Sequence, residues 1–345
     1  MSHIPYSVTS DARVVRKGFR LYRCDACHLI QKESTELLQK SYFADFISHA
    51  LSDGEEQVKF VNGLPYPRSE LILESLKEDF APKGSILDIG SASGSFLKSF
   101  HKYFPNWELY AQDIQNNSLA QLEQLVPKEH IFITDIKNLS LKVDCISMIH
   151  LLGHINSIPA FLEALKKLSK EETKIIIQTP DLARGFFDVV IIDQITHFTK
   201  TSLQRVLAQT FKNIALTQAV QKELTACINF QKLKSKKLQE SSSIETMRER
   251  FQSFIEFLYT SQERYIVLGT APASTYIAAL LEERCLYFVD EDKEKIGKIH
   301  LNKEIKCLED APLSTTILLP FLDEEIVKNI QKRHPSRTFF SFLEL

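Results

Sequence analysis

The chain has 345 residues, of which 44% are hydrophobic and 25% are charged, and its formal net charge at pH 7 is -2. This length exceeds the usual size of one domain, so we expect two domains and a small appendage, and the near-zero charge gives no electrostatic reason to expect nucleic acid as a partner. No apolar stretch approaches the roughly 20 residues that span a bilayer and no signal-peptide core is present, which predicts a cytoplasmic location without a membrane span.

Cysteine spacing is the first feature with chemical meaning along the chain. The six cysteines are scattered, as is typical of reduced thiols, and only Cys24 and Cys27 are closely spaced. Two cysteines that flank a two-residue turn can face one tetrahedral metal ion, but a structural zinc needs four ligands, and the nearest imidazoles are His3 and His28. We therefore favour a vestigial knuckle kept for packing over a bound zinc ion, and we assign no metal ligand.

Residues 34–80 predict a helical cap. The pattern gives helices and loop, then a turn at 62–67 and an amphipathic helix at Arg68–Leu76. The segment also holds Tyr42, Tyr66 and Arg68, for which we favour a core or surface role over contact with a substrate.

Residues 84–100 predict a strand, a tight turn and a helix. An apolar run with one acid, Asp88, breaks into small residues from Gly90 to Gly94 and then resumes with helical spacing. Small residues between a strand and a helix let a ligand approach the backbone, and the first N–H groups of the helix favour a negatively charged group. The segment therefore predicts a cofactor site.

The glycine spacing distinguishes between classes of cofactor. A dinucleotide fingerprint needs G-x-G-x-x-G, whereas here three residues separate Gly90 from Gly94 and an acid precedes them. The segment resembles the first motif of class I S-adenosylmethionine-dependent methyltransferases. The resemblance implies that Asp88, Gly90, Ser91 and Gly94 hold the cofactor, and Ala92 departs from the middle glycine of the family.

Three further strands follow, each with a helical pattern between it and the next. They are predicted at residues 107–111, 131–134 and 145–149. This alternation predicts an α/β fold with a doubly wound, Rossmann-like parallel sheet whose ligand lies at the carboxyl ends of the strands. Asp113 then stands at a strand tip, where its carboxylate can accept ribose hydroxyls. The resemblance implies that Asp135 and Ile136 lie beside the adenine.

Two histidines follow the strand that is predicted at residues 145–149. His150 and His154 are four residues apart, so a helical segment would place both on one face above the methyl donor. A histidine of near-neutral pKa can take a proton from a hydroxyl group as a methyl group transfers. Bacterial sugar methyltransferases, which this region resembles, carry a glutamate where this chain has Gly153. The alternative is that each histidine is satisfied by backbone partners at a strand end.

Residues 193–199 resemble the segment before the last helix of many sugar methyltransferases. Asp193 and His197 are present, but Gln194 replaces the usual first histidine. In the C-methylating branch, a tyrosine, a glutamate and a histidine of this segment abstract a proton from carbon, which Ile191 and Gln194 cannot do. The resemblance therefore favours O-methylation, or transfer to another polar acceptor, over C-methylation. The candidate catalytic residues are His150, His154, Asp193 and His197.

A second α/β unit is predicted in the last third of the chain. A strand at 265–269, a helix at 271–281 and a strand ending at Asp290 have the shape of a nucleotide-binding unit, but the turn lacks two of three glycines. The unit resembles the C-terminal Rossmann-like domain of the same sugar methyltransferases, which implies that it helps to enclose the substrate. A nicotinamide oxidoreductase is the less favoured interpretation.

The resemblance predicts three parts and one activity. Residues 1–35 form a degenerate zinc-ribbon-like appendage, residues 36–232 a class I methyltransferase domain with a helical cap, and residues 233–345 a linker helix and a Rossmann-like domain. The implied activity is methyl transfer from S-adenosylmethionine to a small-molecule or glycan acceptor, namely a sugar, a sugar nucleotide or a glycan precursor. The alternative is a catalytically degenerate cofactor-binding or partner protein. The acceptor atom and the oligomeric state stay open.

Overall fold

A computed structural model describes residues 6–16, 18–33, 58–61, 64–233, 244–321 and 324–344. Tyr42, and most of the predicted helical cap around it, lie outside these residues. The strands, in chain order, are β1 (Ser7–Val8), β2 (Val14–Val15), β3 (Leu21–Arg23), β4 (Ile30–Lys32), β5 (Val58–Val61), β6 (Leu64–Pro67), β7 (Gly84–Ile89), β8 (Trp107–Asp113), β9 (Ile131–Ile133), β10 (Val143–Ile149), β11 (Ser169–Pro180), β12 (Thr196–His197), β13 (Ile214–Thr217), β14 (Glu223–Ile228), β15 (Tyr265–Leu268), β16 (Cys285–Asp290), β17 (Ile299–His300), β18 (Lys303–Cys307), β19 (Ile317–Leu319) and β20 (Phe339–Ser341).

The α-helices, in chain order, are α1 (Arg68–Leu76), α2 (Ser95–Tyr103), α3 (Leu119–Leu122), α4 (Ile158–Leu168), α5 (Lys200–Leu207), α6 (Ile244–Thr260), α7 (Pro272–Leu281) and α8 (Glu324–Arg333). Single-turn 3-10 helices include Leu152–His154 and Phe186–Val190. Within the described parts of the chain, no helix is long and apolar enough to cross a membrane.

Contacts divide the chain into two compact units. The larger unit comprises Tyr22–Asp181 and Ile195–Glu240, and the smaller unit comprises Met1–Leu21, Leu182–Gln194 and Ser241–Leu345. The short segment Leu182–Gln194 therefore groups with residues from both ends of the chain. The three-part division that the sequence predicts stays a prediction.

The larger unit is built on a seven-stranded sheet in the order β13-β14-β11-β10-β7-β8-β9. Strands β11, β10, β7, β8 and β9 are parallel, and β14 and β13 add an antiparallel hairpin beside β11. The predicted α/β class with a doubly wound parallel sheet is confirmed. The carboxyl ends of β7, β8, β9 and β10 therefore lie along one edge of the sheet, where such folds bind ligands.

Apolar side chains cover both faces of this sheet, which explains why its strands are almost continuously apolar. On one face, Leu73 and Phe100 belong to a buried cluster with Trp107, whose indole donates to the carbonyl of Ala81 at 2.9 Å. On the other face, Leu162 and Leu165 of α4 belong to a second buried cluster, together with residues of β10. These two layers fix the strand ends that form the candidate site.

The second part of one predicted turn is wrong. The sequence predicts a turn at 62–67, but Leu64–Pro67 is strand β6, which pairs antiparallel with β5, and residues 62–63 lie outside the described residues. The two prolines of β6 led to the wrong assignment, because proline is rare inside a sheet. A two-stranded ribbon consists only of edge strands, where a missing N–H donor is tolerated.

The smaller unit contains a six-stranded sheet in the order β17-β18-β16-β15-β19-β20. All neighbouring pairs are parallel except β17 with β18. Phe187 packs its ring against Phe251 and Phe254 of α6, with centroids 5.5 and 6.1 Å apart, and against Phe342 at 5.4 Å. The second α/β unit predicted from the sequence is therefore present.

Candidate functional site

The turn after β7 has the backbone of a ligand cradle. Gly90 and Gly94 have φ angles of 73° and 81°, in the left-handed region that favours glycine. A Cβ atom at Gly90 would lie 3.1 Å from the side chain of Leu151, and one at Gly94 would lie 3.0 Å from Leu122. Both positions therefore favour glycine by conformation, and an added Cβ would also make a tight contact with a leucine side chain.

Ala92 keeps the left-handed conformation that its position requires. Its φ angle is 46°, so an alanine here adopts a conformation that favours glycine. The resulting backbone strain is about 1 kcal/mol. The substitution therefore keeps the path of the turn.

We expect Ala92→Gly to change the free energy of unfolding by less than about 1 kcal/mol. Relief of the strain and the greater chain entropy of glycine in the unfolded state act in opposite directions and are of similar size. The matched control is Ala111→Gly in β8, which removes a buried methyl group without relieving strain and should destabilise the protein by about 1 kcal/mol. Urea unfolding of both variants measures the difference. Equal losses would show that Ala92 carries no strain.

Asp88 lies at the end of β7 and is almost fully buried, with 3% of its surface exposed. Its Oδ1 accepts a hydrogen bond from the Ser147 hydroxyl of the neighbouring strand β10 at 2.7 Å. The Ser91 hydroxyl donates to the carbonyl oxygen of Asp88, also at 2.7 Å. A buried carboxylate is thus fixed directly beneath the glycine turn.

Asp113, at the end of β8, joins the turn to the strand. Its Oδ2 accepts from the backbone N–H of Ala92 at 2.9 Å, and its Oδ1 accepts from the N–H groups of Ile114 and Gln115. A carboxylate has about four acceptor positions, so Oδ2 can still accept from a ligand. Asp113 therefore fixes the turn and stays able to bind a hydroxyl group.

Asp135 and Ile136 follow β9, the next strand along the sheet. The Asp135 carboxylate accepts from the N–H of Lys137 at 2.9 Å and so caps a single 3-10 turn. Ile136, the first residue of that turn, is buried. The structure therefore brings Asp88 and Asp113, at the ends of β7 and β8, and Asp135, just after β9, to one edge of the sheet, in the order that the sequence predicts.

His150, directly after β10, has an unusual backbone. Its φ angle is 57°, a left-handed conformation that costs a non-glycine residue about 1 kcal/mol or more, and its N–H donates to the carbonyl of Gln178 at 2.9 Å. The shared face was expected only for a helical segment, and with this conformation and the 3-10 turn at Leu152–His154 that condition is not met, so His150 and His154 do not share a helical face. Such strain in a polar residue at a strand end is typical of functional sites.

Glu223 holds the imidazole of His150. The His150 Nε2 atom lies 2.9 Å from Oε2 of Glu223, and Lys59 Nζ lies 3.1 Å from Oε1. The Glu223 side chain is 5% exposed and that of His150 is 27% exposed. Within the described residues, Nδ1 of His150 has no hydrogen-bond partner. One ring nitrogen is thus fixed and the other is available.

Neighbouring side chains keep Glu223 ionised. Burial alone would raise the pKa of its carboxyl, but His150, Lys59 and Arg68 together lower this pKa to about 2. Burial also lowers the pKa of His150, although Glu223 opposes that change. An ionised carboxylate only accepts hydrogen bonds, so Nε2 of His150 carries the proton and Nδ1 of the neutral ring carries the lone pair.

The low pKa of Glu223 predicts that the folded protein loses stability in acid. Its pKa is lower in the folded protein than the ordinary value of 4.5, so its contribution to stability is complete above that value and is lost as the pH falls toward about 2. The shift corresponds to about 3 kcal/mol. We expect the difference in unfolding free energy between the wild type and Glu223→Gln to be largest above pH 5 and to shrink toward pH 2. Glu129→Gln, at an exposed position, is the control and should show no such trend. A difference that is constant with pH would contradict the prediction.

His197 is buried beside a lysine. Strand β12 pairs antiparallel with β4, and the Lys32 Nζ atom lies 2.8 Å from His197 Nε2, with both side chains buried. Burial lowers the pKa of His197 well below its usual value, and the charges of Lys32 and His154 add to this. Because an ammonium group only donates, Nε2 of His197 is an acceptor and its ring is neutral.

Asp193 belongs to the smaller unit and fixes a loop there. Its carboxylate accepts from the N–H of Ser10 at 2.8 Å and from the Ser10 hydroxyl at 2.6 Å. His150, His154 and His197 belong to the larger unit. The structure therefore groups the three histidines in one unit and Asp193 in the other, and the catalytic role of each stays a prediction.

Cys24 and Cys27 remain free thiols in the described structure, the first exposed and the second partly buried. Hydrogen bonds from the backbone of Cys27, and to a smaller extent from its side chain, lower the pKa of Cys24. Among the residues that the structure describes, no group of three or more histidine, cysteine or acidic side chains could hold a metal ion.

Sequence reasoning missed Glu223, Lys59 and Lys32. Glu223 begins the antiparallel strand β14, where it pairs with Pro180 at the end of β11. An antiparallel strand starts where its parallel neighbours end, so its first residue lies at the carboxyl edge of the sheet. An acid just before the last apolar run of such a sheet is a signal that could have found it.

Residues 64–221, less than half of the chain, match the family model described as a methyltransferase domain. No curated protein matches the chain. Solved structures similar to it include the mitomycin 7-O-methyltransferase MmcR, with 11% identity over 47% of this chain and 53% of that chain and a TM-score of 0.39. A second is CalO1, a methyltransferase in calicheamicin biosynthesis, in its SAH-bound form, with 12% identity over 46% of this chain and 53% of that chain and a TM-score of 0.38.

A third similar structure is a SAM-dependent methyltransferase from Aquifex aeolicus, with 17% identity over 45% of this chain and 90% of that chain and a TM-score of 0.37. The chain spans about half the length of MmcR and of CalO1, at 53% of each. These likenesses are too weak to indicate a substrate.

Proposed function

We propose that the protein is an S-adenosylmethionine-dependent methyltransferase that methylates a hydroxyl oxygen of a sugar-type acceptor, with His150 as the general base. The observation that carries the proposal is the strained His150, whose Nε2 is fixed by Glu223 and whose Nδ1 has no hydrogen-bond partner in the described chain. The match of residues 64–221 to a methyltransferase domain supports the reaction class.

The acids at the sheet edge fit the proposed cofactor. A buried carboxylate at Asp88 suits a cationic amino group, and the acceptor capacity left on Asp113 suits a ribose hydroxyl. Ile136 adds an apolar contact for a base, and the left-handed turn lets a ligand approach the backbone. When bound, S-adenosylmethionine supplies an electrophilic methyl group on a sulfonium sulfur.

The chain's own residues then have to remove one proton. With S-adenosylmethionine held by Asp88, Asp113 and Ile136 as the methyl donor, Nδ1 of His150 would accept the proton that the acceptor hydroxyl loses when its oxygen is methylated. Glu223 stabilises the imidazolium that forms, while Lys59 and Arg68 keep Glu223 ionised. A base that removes a proton from oxygen favours O-methylation. The sugar class of the acceptor rests on the sequence resemblance alone.

The alternative function is a degenerate protein that binds the cofactor without transferring a methyl group. It is supported by the contacts of His197 and Asp193. Lys32 occupies Nε2 of His197, and Ser10 donates two hydrogen bonds to the carboxylate of Asp193. Both residues thus have structural contacts that would explain their presence without catalysis.

Calorimetry and a transfer assay separate these functions. The full chain is titrated with S-adenosylmethionine and then incubated with it and a panel of sugars, nucleotide sugars and phenols, with products detected by mass spectrometry as the gain of one methyl group. We expect binding and methylation of a hydroxyl in at least one panel member. Binding without transfer to any acceptor would favour the degenerate protein, and the absence of binding would overturn both.

A further inference from the structure

The turn between β3 and β4 carries two thiols, Cys24 and Cys27, that have no part in the proposed methyl transfer. A backbone hydrogen bond from the N–H of Cys24 to the carbonyl of Leu29, at 2.9 Å, joins the two ends of the turn. The guanidinium of Arg205, in α5, donates to the carbonyl of Ala26 at 3.0 Å and holds the middle of the turn. Both cysteines therefore lie on a turn that is fixed at its ends and at its centre.

The two thiols are in contact with each other. Their side chains share a hydrogen bond, and the Cys24 sulfur also accepts from the backbone N–H groups of Cys27 and Ala26. The N–H of Leu29 donates to the sulfur of Cys27. A disulfide can form only between cysteines whose side chains point toward each other, and a shared hydrogen bond meets that condition.

The two thiols differ in exposure and in acidity. Cys24 is exposed and Cys27 is partly buried. Hydrogen bonds, first from the backbone of Cys27, lower the pKa of Cys24, whereas burial raises the pKa of Cys27. The thiolate is the nucleophile in thiol–disulfide exchange, so an accessible thiol of lower pKa reacts first. Cys24 therefore fits the role of the attacking thiol, and Cys27 that of the resolving thiol.

Packing accounts for Cys27 but not for Cys24. Cys27 packs against the buried cluster that contains Leu162 and Leu165, whereas the exposed side chain of Cys24 adds nothing to the core. A structural zinc needs four ligands, of which this turn supplies two thiols. Two touching thiols of unequal acidity are, in contrast, all that a dithiol–disulfide couple needs.

The other four cysteines lack these properties. Cys145, Cys227 and Cys285 are buried, and burial raises the pKa of each thiol. Cys307 is partly exposed, but its thiol donates to Oε2 of Glu309 at 2.6 Å, and this contact raises its pKa. An oxidant in solution should therefore react first at the turn between β3 and β4.

We propose that Cys24 and Cys27 form a reversible disulfide, with a low-molecular-weight disulfide such as oxidised glutathione as the oxidant. The Cys24 thiolate attacks one sulfur of glutathione disulfide, which forms a mixed disulfide and releases one glutathione thiolate. The Cys27 thiolate then attacks the Cys24 sulfur and releases the second. The two protein thiols lose two electrons, and their two protons pass to the two glutathione thiolates. The proposal does not depend on methyl transfer.

Mass spectrometry on the full chain tests the proposal. The protein is equilibrated with glutathione buffers of rising oxidised-to-reduced ratio, quenched in acid, alkylated and cleaved with trypsin. Cleavage after Arg23 and Lys32 releases one peptide that contains Cys24 and Cys27 and no other cysteine. We expect this peptide to lose two hydrogen atoms and to escape alkylation as the ratio rises, and to revert with dithiothreitol. Absence of the disulfide at every ratio would overturn the proposal.

Two variants assign the roles of the thiols. In Cys27→Ser, the mixed disulfide with glutathione should accumulate on Cys24, because no resolving thiol is left. In Cys24→Ser, Cys27 should react with oxidised glutathione at least about fivefold more slowly than Cys24 does in Cys27→Ser. The matched control is Cys307→Ser, which should form the disulfide as the wild type does.

Two results from the variants would contradict the proposal. The first is an equal rate of reaction at the two thiols. The second is zinc that copurifies in equimolar amount with the wild type and is lost in both variants, since that would make the turn a metal site. Should either variant fail to fold, the tryptic peptide of the wild type still decides the question.

Discussion

Replacement of His150 by alanine is expected to lower kcat for methyl transfer by about 10²- to 10⁴-fold, the usual contribution of a general base. The dissociation constant of S-adenosylmethionine should change by less than about threefold, because no part of the proposed cofactor site involves the imidazole. His150→Asn is the second variant, since asparagine tolerates the left-handed backbone and keeps the fold. His101→Ala, on the exposed face of α2, is the matched control and should keep full activity.

The dependence of kcat/KM on pH distinguishes a base from a structural histidine. His150 must be neutral to accept a proton, and burial lowers its pKa below the ordinary value of 6.5, so activity should rise with pH with a midpoint below that value. Glu223→Gln removes the carboxylate that raises this pKa, so the rise should move to lower pH while kcat falls about tenfold or more. A profile that is identical in both proteins, or full activity in His150→Asn, would rule out this role.

Replacement of Asp88 or Asp113 is expected to weaken the binding of S-adenosylmethionine by about 10- to 100-fold, the cost of one lost hydrogen bond to a charged group. Asp88→Ala removes the buried carboxylate beneath the glycine turn, and Asp113→Asn removes the charge that accepts from Ala92 and, in the proposal, from the ribose. Calorimetry measures both dissociation constants.

Asp144→Asn is the control for the cofactor site. Asp144 lies near the start of β10, at the opposite edge of the sheet, where it accepts from Ser85 and pairs with Lys170. Its replacement should cost stability and leave the affinity for the cofactor unchanged. Equal affinities for the Asp88, Asp113 and Asp144 variants would mean that the cofactor does not bind at this edge.

The parts of the site that local sequence determines could be predicted. The strand, turn and helix around Gly90 need only neighbouring residues, and the acids at Asp113 and Asp135 follow from the repeated alternation of strand and helix. Parallel strands in register then bring these acids to one edge, so a pattern that is local in the chain becomes a site in space.

Contacts between distant residues could not be predicted in this way. Glu223 meets His150 across 73 positions, and Lys32 meets His197 across 165. Neither pair has a local pattern, because each depends on which strands become neighbours. The left-handed backbone of His150 was equally hidden, since a histidine after an apolar run is usually expected to continue the strand or to start a helix.

Because the two units are interleaved along the chain, neither can be produced as one continuous fragment. The smaller unit takes residues from three separate stretches, and one of them, Leu182–Gln194, lies in the middle of the sequence. A fragment spanning residues 22–240 would carry Phe186 and Phe187 without Phe251, the ring against which both pack. Two large apolar side chains would be released to water and would promote aggregation. Neither unit therefore corresponds to a fragment that can be obtained by trimming the ends of the chain.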